Sequence, residues 1–254
     1  MTARLVLEGV ERVFGGVRAV DGASFSVAPG EVHGLIGPNG AGKTTIINLV
    51  SGLLQPTGGA LHVEGRPTRG LAPHRIAALG VARTFQNIRL FRDLSVLENV
   101  LVGCHLQMNA NLLEATLHLP GYRRRDREAR ERAMGLLREV GLEDVAGELA
   151  TSLPYGKQRR LEIVRALATR PSMLLLDEPA AGMNPQESLE LMHFIRRIRD
   201  EFDLTIFLIE HHMQVVMGVC DRIYVLDYGV TIAKGDPAAI QNDAKVIEAY
   251  LGAQ

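Results

Sequence analysis

The segment Gly37–Thr44, which reads GPNGAGKT, decides the fold of this chain. It fits the pattern G-x-x-x-x-G-K-[ST], whose glycines let backbone N–H groups converge on phosphate oxygens. A strand-like segment, VHGLI, precedes it and a helical pattern follows it, so the N-terminus of that helix adds its partial positive charge. The sequence therefore predicts a nucleotide-binding loop between a strand and a helix.

The letters of this loop have separate tasks. Lys43 is expected to reach the β- and γ-phosphates of ATP, and Thr44 is expected to offer its hydroxyl to Mg²⁺. The predicted ATP-binding residues of the loop are Gly37, Pro38, Asn39, Gly40, Ala41, Gly42, Lys43, Thr44 and Thr45.

A pair of carboxylates follows a second apolar segment. Met173–Leu176 reads MLLL, and Asp177 and Glu178 come directly after it. A buried strand of a parallel sheet delivers its last residues to the carboxyl edge, where ligands bind. Asp177 can hold Mg²⁺ directly or through water, and Glu178 can polarise an attacking water. Solvated acids at a strand end are the simpler explanation, but they do not account for the nearby phosphate loop.

The composition is that of an ordinary globular protein. Of 254 residues, 46% are hydrophobic and 22% are charged, and a net charge of −1 gives no whole-chain case for binding nucleic acid. Cys104 and Cys220 form no motif, which indicates a reduced, cytosolic chain. We expect no signal peptide, and the apolar runs are far shorter than the roughly 20 residues of a membrane helix. Any work at a membrane is therefore expected to go through partners.

Strand and helix patterns alternate along the chain, which indicates an α/β fold with a parallel sheet covered by helices. We expect one domain, 1–254, with a helical subdomain at 94–170 and a short helical tail at 236–254. The predicted strands are Leu5–Val10, Phe25–Ala28, Glu31–Ile36, Ala60–Glu64, Val81–Phe85, Met173–Asp177, Thr205–Ile209 and Arg222–Leu226, and the predicted helices include Lys43–Leu54, Tyr122–Val140 and Gln186–Glu201.

The predicted helix Tyr122–Val140 carries a cluster of arginines. Such a cluster could bind anionic lipid or nucleic acid. Asp126, Glu128 and Glu131 are interleaved with the arginines, however, and this favours a solvated helix face with i,i+4 ion pairs.

The order of these motifs resembles the nucleotide-binding subunits of ABC transporters, over nearly the whole chain. The resemblance implies a P-loop core with a mixed sheet, an N-terminal antiparallel β subdomain and the helical insertion. It also implies that Phe14 stacks on adenine, that Gln86 senses Mg²⁺ and couples to a membrane subunit, and that His211 contacts the γ-phosphate. The implied sets are Glu178, His211, Lys43 and Gln86 for catalysis, Thr44, Gln86 and Asp177 for the metal, and Ala181, Gly182, Met183 and Asn184 for the D-loop.

Taken alone, each of these side chains has a simpler explanation. Phe14 could belong to the core, and His211 could be a surface histidine. His211 and His212 together could bind a metal ion, but the sequence offers no third ligand. Only the joint order and spacing of the motifs favour the ABC resemblance.

The segment LPYGK occupies the place of the family signature LSGGQ, which faces the γ-phosphate bound by a partner subunit. The predicted signature residues are Leu153, Pro154, Tyr155, Gly156 and Lys157. Pro154 supplies neither a hydroxyl nor an N–H, but proline is tolerated in the first turn of a helix. A cation such as Lys157 near a helix N-terminus opposes the macrodipole by a few tenths to about 1 kcal/mol, unless an anion binds there. We hypothesise that Lys157 faces the partner-bound γ-phosphate; the alternative is that it points to solvent.

Four further segments, together with the signature stretch, resemble the ATP-binding subunits of branched-chain amino acid importers of the LivG type. They are TFQNIRL at 84–90, FRDLSVLENVLVG at 91–103, IEHHM at 209–213 and VIEAYLG at 246–252. This resemblance implies an ATPase at the cytoplasmic face of a bacterial or archaeal plasma membrane. The implied partners are a second cassette, two integral-membrane permeases and, indirectly, a periplasmic or lipid-anchored substrate-binding protein, with no nucleic acid.

The alternatives differ in substrate and in class. Similar cassettes serve the import of urea, amides or aromatic acids, and the second cassette could be identical or a paralogue. A soluble ABC ATPase that acts on DNA or ribosomes is disfavoured by the single phosphate loop and the lack of sustained heptads. A regulatory module without turnover is disfavoured by the intact Glu178.

Overall fold

The computed structural model describes residues 3–105 and 120–251. The chain divides into two compact units: a core unit, Met1–Gln86 with Ser172–Gln254, and a helical unit, Asn87–Pro171. Residues 106–119 of the predicted helical subdomain and 252–254 of the predicted tail lie outside the described residues.

The described residues contain ten strands and nine α-helices. In chain order they are β1 (Leu5–Phe14), β2 (Val17–Val27), β3 (Val32–Ile36), α1 (Lys43–Val50), β4 (Gly58–Val63), β5 (Arg66–Pro67), α2 (Pro73–Ala78), β6 (Val81–Arg83), α3 (Val96–His105), α4 (Pro120–Glu139), α5 (Tyr155–Leu167), β7 (Met173–Asp177), α6 (Pro185–Glu201), β8 (Thr205–Ile209), α7 (Met213–Val219), β9 (Arg222–Asp227), β10 (Val230–Gly235), α8 (Pro237–Gln241) and α9 (Ala244–Leu251).

The core unit is built on a six-stranded sheet of order β10-β9-β3-β8-β7-β6. Its strands are parallel except for the antiparallel pair of β9 and β10. Every residue of β3, β7 and β8 is buried, as expected for strands covered on both faces. The carboxyl ends of β3, β6, β7 and β8 therefore meet at one edge of the sheet, and that edge carries the predicted site.

A second, antiparallel sheet of order β2-β1-β4-β5 belongs to the same unit. Its inward side chains share one hydrophobic core with α1 and the larger sheet, through residues such as Leu5, Val63, Ile46, Leu175 and Phe207. The predicted fold class, an α/β core with a mixed sheet and an N-terminal antiparallel β-sheet, is confirmed.

The boundaries of β1 and β2 were predicted too short. β1 continues past Val10 to Phe14, and β2 begins at Val17 rather than at Phe25. The register between β1 and β2 shifts after Leu7, and Gly9 has a φ of 55° there. This bulge interrupts the alternation of apolar residues, so the sequence pattern ends before the strand does.

The predicted end of α1 was also wrong. The helix ends at Val50 rather than at Leu54. Gly52 follows with a φ of 75°, a left-handed conformation that terminates helices. β10 was not predicted, because its residues are exposed or half-buried and give no strong apolar signal.

The helical unit contains α3, α4 and α5. Ala129, Ala133 and Leu137 of α4, which recur at helical spacing, are buried. Arg124 pairs with Glu128 at 2.9 Å and Arg130 with Asp126 at 3.2 Å, which are the expected i,i+4 ion pairs. Among the described helices of the whole chain, none has the length and apolar character needed to cross a membrane.

Candidate nucleotide-binding and hydrolysis site

The phosphate loop connects β3 to α1 and needs its glycines for backbone reasons. Gly37 has a φ of 151°, and a Cβ there would lie 2.1 Å from the carbonyl oxygen of Leu226. Gly42 has a φ of 102°, and a Cβ there would lie 2.3 Å from the carbonyl oxygen of Ala19. Gly42 is also the N-cap of α1, and no side chain among the described residues caps this helix. Its first amides are therefore left for an anion, which fits a phosphate group.

Lys43 is a buried cation that is held by its own loop. Its Nζ donates to the carbonyl oxygens of Gly37 at 2.7 Å and Pro38 at 2.8 Å. Burial lowers the pKa of Lys43, and the charge of Glu178 partly opposes this shift. The two carbonyl contacts can be exchanged for phosphate oxygens, which would return a full counter-charge to the ammonium group.

The two carboxylates lie at the end of β7. Asp177 is 6% exposed, and its Oδ2 pairs with the guanidinium of Arg83 at 2.9 Å. Glu178 has a φ of 47°, which is uncommon for a residue with a side chain. Its backbone N–H donates to the carbonyl oxygen of Ile209 at 2.8 Å, so the strained turn is fixed to β8.

Two predicted catalytic side chains lie next to Glu178, and a third is close enough to feel its charge. Its Oε2 accepts a hydrogen bond from the Gln86 side-chain amide at 2.8 Å and lies 3.6 Å from Nδ1 of His211. The charge of the same carboxylate raises the pKa of Lys43 and so opposes the effect of burial. The structure thus brings together the four residues that the resemblance assigned to catalysis.

Glu210 is a site residue that the sequence analysis missed. Its side chain is fully buried, and its carboxylate accepts the backbone N–H groups of Ala180 at 2.8 Å, His211 at 2.9 Å and His212 at 3.1 Å. It therefore fixes the backbone around the histidine and the residue before the D-loop at once. The signal in the sequence was an acid directly after an apolar strand, the same signal that identified Asp177.

Glu210 also bears on the alternative metal site at the two histidines. Its carboxylate and the ring nitrogens of His211 and His212 lie within 4.8 Å of one another, so a third candidate ligand exists that the sequence analysis did not find. Both of its oxygens already accept backbone N–H groups, and Oε2 also contacts Nδ1 of His212 at 3.2 Å. The geometry is better explained by backbone positioning than by metal binding.

Oxygen donors suited to Mg²⁺ are present near the phosphate loop. The Thr44 side chain is exposed at the start of α1, the Asp177 carboxylate ends β7, and the Gln86 amide carries a carbonyl oxygen. Mg²⁺ prefers hard oxygen ligands of this kind. The N-terminus of α1 suits an anion, and phosphate oxygens usually complete the coordination shell of a protein-bound Mg²⁺ ion.

Phe14 ends β1 with its ring 42% exposed. The guanidinium carbon of Arg12 lies 4.5 Å from the ring centroid, and Arg12 is itself anchored to the carbonyl oxygen of Gln55 at 2.8 Å. One face of the ring is therefore backed by a fixed cation, and the exposed remainder of the ring can stack on a base.

The D-loop, Ala181–Asn184, leads into α6. Gly182 has a φ of 78°, which favours glycine. Asn184 caps the helix: its side chain accepts from the backbone N–H of Glu187 at 2.9 Å, and the Glu187 carboxylate accepts from the Asn184 N–H at 2.9 Å. This capping box fixes where the loop ends and the helix begins.

The signature residues belong to the helical unit and begin α5. Pro154 is the N-cap rather than a residue of the first turn, a small correction to the sequence analysis. Leu153 is buried, whereas Lys157 is exposed. The hydroxyl of Tyr155 accepts a hydrogen bond from the Arg159 guanidinium at 3.2 Å.

A buried ion pair supports this signature helix. Arg159 and Glu162 are 0% and 1% exposed and lie 2.9 Å apart. Glu162 also accepts the backbone N–H of Arg89 at 3.0 Å. This pair was not predicted, although its i,i+3 spacing on a predicted helical segment was a signal for it.

Comparisons with known proteins agree with this geometry. Residues 20–181 match the family described as ABC transporter, and residues 230–254 match the family described as Branched-chain amino acid ATP-binding cassette transporter. The chain is 47% identical to the high-affinity branched-chain amino acid transport ATP-binding protein LivG of Salmonella typhimurium, over 98% of this chain and 97% of the relative. It is 46% identical to the corresponding protein BraF of Pseudomonas aeruginosa, with the same coverage.

Solved structures show the same fold. The ADP conformation of an ATP-binding cassette of an ABC transporter superposes with a TM-score of 0.85 at 30% identity, over 99% of this chain and 100% of the other. A nucleotide-free ATP-binding cassette gives a TM-score of 0.84 at 30% identity, over 98% and 99% of the two chains. The chain belongs to the ABC transporter family, as an ATP-binding and ATP-hydrolysing subunit of the LivG type.

Proposed function

We propose that this subunit hydrolyses Mg²⁺-bound ATP to energise the uptake of leucine, isoleucine and valine through partner membrane permeases. The observation that carries the hydrolytic part is the contact of Gln86 and His211 with Glu178 beside a complete phosphate loop. The identity to LivG and BraF, which are named for branched-chain amino acid transport, supports the choice of substrate over urea, amides or aromatic acids.

Binding begins at the phosphate loop. Lys43 exchanges the carbonyl oxygens of Gly37 and Pro38 for oxygens of the β- and γ-phosphates, and the amides at the start of α1 face the same anion. Thr44, Asp177 and Gln86 would hold Mg²⁺, which supplies charge neutralisation for the phosphates when bound. Phe14 stacks on adenine with Arg12 behind its ring.

Hydrolysis requires an oriented water. Glu178 accepts hydrogen bonds from the water and draws its proton, a role that its position beside the phosphate loop allows. The side-chain amide of Gln86 donates to Oε2 of the same carboxylate at 2.8 Å. This hydrogen bond fixes the orientation of the Glu178 carboxylate, and the carbonyl oxygen of the same Gln86 amide would be available to hold Mg²⁺. His211 contacts the γ-phosphate, and Glu210 holds the backbone of that histidine.

The signature residues act on the ATP of a second cassette. In this proposal two cassettes close head to tail, and Leu153–Lys157 of each one meets the γ-phosphate bound by the other. The exposed Lys157 supplies a cation in place of the missing serine hydroxyl. The second cassette is a copy or a paralogue, and two permeases and a substrate-binding protein complete the importer at the cytoplasmic face of the membrane.

Co-purification tests this assembly. The Glu178→Gln variant is tagged, expressed in its own host, trapped with ATP and extracted from solubilised membranes, and its partners are identified by mass spectrometry. Two multi-span permeases are expected, with the same sample in ADP as the control for ATP-dependent closure. A protein recovered from the soluble fraction without any permease would contradict the transport function and favour a soluble ABC ATPase.

The substrate is tested on the purified complex. The complex is reconstituted with its binding protein, and uptake of labelled leucine, isoleucine and valine is measured beside urea, an amide and an aromatic acid. ATP-dependent uptake of the three branched-chain amino acids is expected. Uptake of one of the other classes alone would overturn the substrate assignment while leaving the ATPase assignment intact.

A further inference from the structure

Arg83 stands out as a buried cation next to the site that none of the motifs includes. It is the last residue of β6, three positions before Gln86, and its side chain is 9% exposed. Its guanidinium donates to Asp177 Oδ2 at 2.9 Å, and it lies 4.9 Å from the ring centroid of Phe85. Arg83 therefore touches the predicted metal ligand directly.

The same guanidinium is anchored to the helix that carries the phosphate loop. Its NH1 donates to Asn48 Oδ1 at 2.7 Å and to Ser51 Oγ at 3.0 Å. Asn48 lies in α1, which begins at Lys43 and Thr44, and Ser51 is its C-cap. One side chain thus joins three elements: the end of β6, the end of α1 and the end of β7.

We propose that Arg83 is a positioning residue that orients Asp177 toward Mg²⁺ in the nucleotide-bound site. The inference rests on the proposed Mg²⁺-dependent function. Asp177 has two carboxylate oxygens, and Arg83 holds Oδ2, so the contact fixes the plane of the carboxylate, and Oδ1 would be available to the ion or to its bound water. Partners of this kind fix the orientation of a metal ligand, and their loss typically costs about 10- to 100-fold in metal affinity.

The contact is better explained by positioning than by stability. A buried ion pair gains little over apolar packing, because both charges lose their hydration. Arg83 also leaves its Nε without a hydrogen-bond partner among the described residues, which adds a further cost. The three acceptors match the planar, forked geometry of arginine, which an ammonium group cannot reproduce.

Two opposing effects of the cation must be separated in the test. A positive charge beside Asp177 repels Mg²⁺, whereas a fixed carboxylate orientation favours it. Arg83→Lys keeps the charge and removes the forked contact, so any loss of affinity reports orientation. Asn48→Ala keeps Arg83 and Asp177 and removes one anchor, so it should give a smaller loss in the same direction.

The experiment measures ion and nucleotide binding rather than turnover. Binding of AMP-PNP to the full chain is titrated by calorimetry in EDTA and at increasing Mg²⁺, and Mn²⁺ occupancy is followed by electron paramagnetic resonance. For Arg83→Lys we expect about a tenfold or larger loss of Mg²⁺ and Mn²⁺ affinity in the presence of AMP-PNP. AMP-PNP binding in EDTA should stay within about twofold of wild type, because the hydrogen bonds of Arg83 within the described part of the chain go to Asn48, Ser51 and Asp177 rather than to the phosphate loop.

The matched control is Arg4→Lys. Arg4 makes a two-point contact with Glu64 at 3.0 and 3.1 Å elsewhere in the core unit, and its replacement should leave the Mg²⁺ dependence unchanged. Equal Mg²⁺ affinity of wild type and Arg83→Lys, or a tighter variant, would overturn the inference. A wild-type chain that binds AMP-PNP equally well with and without Mg²⁺ would overturn the proposed metal-dependent function as well, so the two failures are distinguishable.

Discussion

Lys43 and Arg159 are both buried cations near the N-terminal ends of helices that carry a motif, but their surroundings differ. Lys43, in the core unit, has two carbonyl oxygens as its hydrogen-bond partners among the described residues. Arg159, in the helical unit, has a buried carboxylate, Glu162, and the hydroxyl of Tyr155. Lys43 is hydrogen-bonded to neutral carbonyl groups and can bind an anion, whereas Arg159 is paired with a carboxylate of the same unit. A ligand site and a structural support are thus distinguished by what compensates the charge.

This difference also explains one unusual signature letter. Tyr155 stands where the family pattern has glycine, and its hydroxyl accepts from Arg159 while the guanidinium carbon lies 5.9 Å from its ring. The tyrosine side chain thus extends the buried Arg159–Glu162 pair toward the helix N-terminus. The tyrosine at this position therefore has a structural role within the helix.

The largest expected effect is a loss of ATP turnover at the nucleotide-binding site. Replacing Glu178 by glutamine removes the proton acceptor but keeps the side-chain shape and a carbonyl oxygen for Gln86. We expect ATP turnover to fall by about 10²- to 10⁴-fold, as is usual for the loss of a general base. Phosphate release measures turnover, and calorimetry with ATP should show that nucleotide binding is retained. Turnover within tenfold of wild type would show that Glu178 does not activate the water.

The second effect tests the internally paired cation. Glu162→Gln leaves the Arg159 guanidinium buried without its counter-charge, and breaking a buried pair typically costs about 3–5 kcal/mol of unfolding free energy. Urea denaturation measures the loss. Glu128→Gln, which breaks the exposed pair with Arg124, is the matched control and should change the unfolding free energy by less than about 1 kcal/mol.

The paired variant separates charge from packing. Arg159→Met combined with Glu162→Leu replaces both charges with apolar groups, and much of the lost stability should return. If Glu162→Gln lowers the unfolding free energy no more than Glu128→Gln does, then Arg159 does not depend on Glu162 as its counter-charge.

The sequence predicts those features of the site that depend on residues close together in the chain. The bounds of β7 and β8 were predicted correctly, since continuous apolar runs identify buried strands. The phosphate loop and the Asp177–Glu178 pair are local patterns with a known mechanism. Arg83, by contrast, acts through Asp177, 94 residues further along the chain, and no local pattern reports such a contact.

The strand and helix ends show the same limit. The bulge at Gly9 hid the second half of β1, and the left-handed turn at Gly52 ended α1 early. The sequence shows Glu210, Arg159 and Glu162 as charged residues, but it does not show that their side chains are buried. Burial decides whether a charge is a solvated surface group or a fixed part of a site, and it is a property of the tertiary structure.

A third, smaller effect concerns the exposed cation of the signature. Lys157→Ala should weaken ATP-driven dimerisation about twofold to fivefold, the equivalent of a few tenths to about 1 kcal/mol for a charge at a helix N-terminus facing an anion. Analytical ultracentrifugation of the Glu178→Gln variant in ATP, with and without the second substitution, measures it. Lys234→Ala, another exposed lysine, is the control. Equal dimerisation of both lysine variants would mean that Lys157 points to solvent.

The smallest effect sharpens the comparison at Lys43 itself. Burial lowers the pKa of Lys43 below its ordinary value of 10.5, so the folded chain releases this proton at a lower pH than the unfolded chain does. Between the lowered pKa and 10.5 the unfolded state binds more protons, and the unfolding free energy of wild type must therefore rise with pH in that window. Below the window the charge is buried in the fold at its full cost.

Lys43→Met isolates this contribution. The unfolding free energies of the nucleotide-free wild type and the variant are measured by urea denaturation at several pH values from 8 to about 10.5, and their difference is followed. We expect wild type to gain on the variant as the pH rises, since only wild type releases the proton. At neutral pH the variant should be no less stable than wild type, in contrast to Glu162→Gln, because methionine removes a charge whose burial lowers the pKa of Lys43 despite the opposing charge of Glu178. The opposite result would be a difference in unfolding free energy that does not change with pH, together with a variant less stable than wild type. It would show that the two loop carbonyls stabilise the charged lysine as well as a counter-charge does, and Lys43 and Arg159 would then not differ in how their charges are compensated.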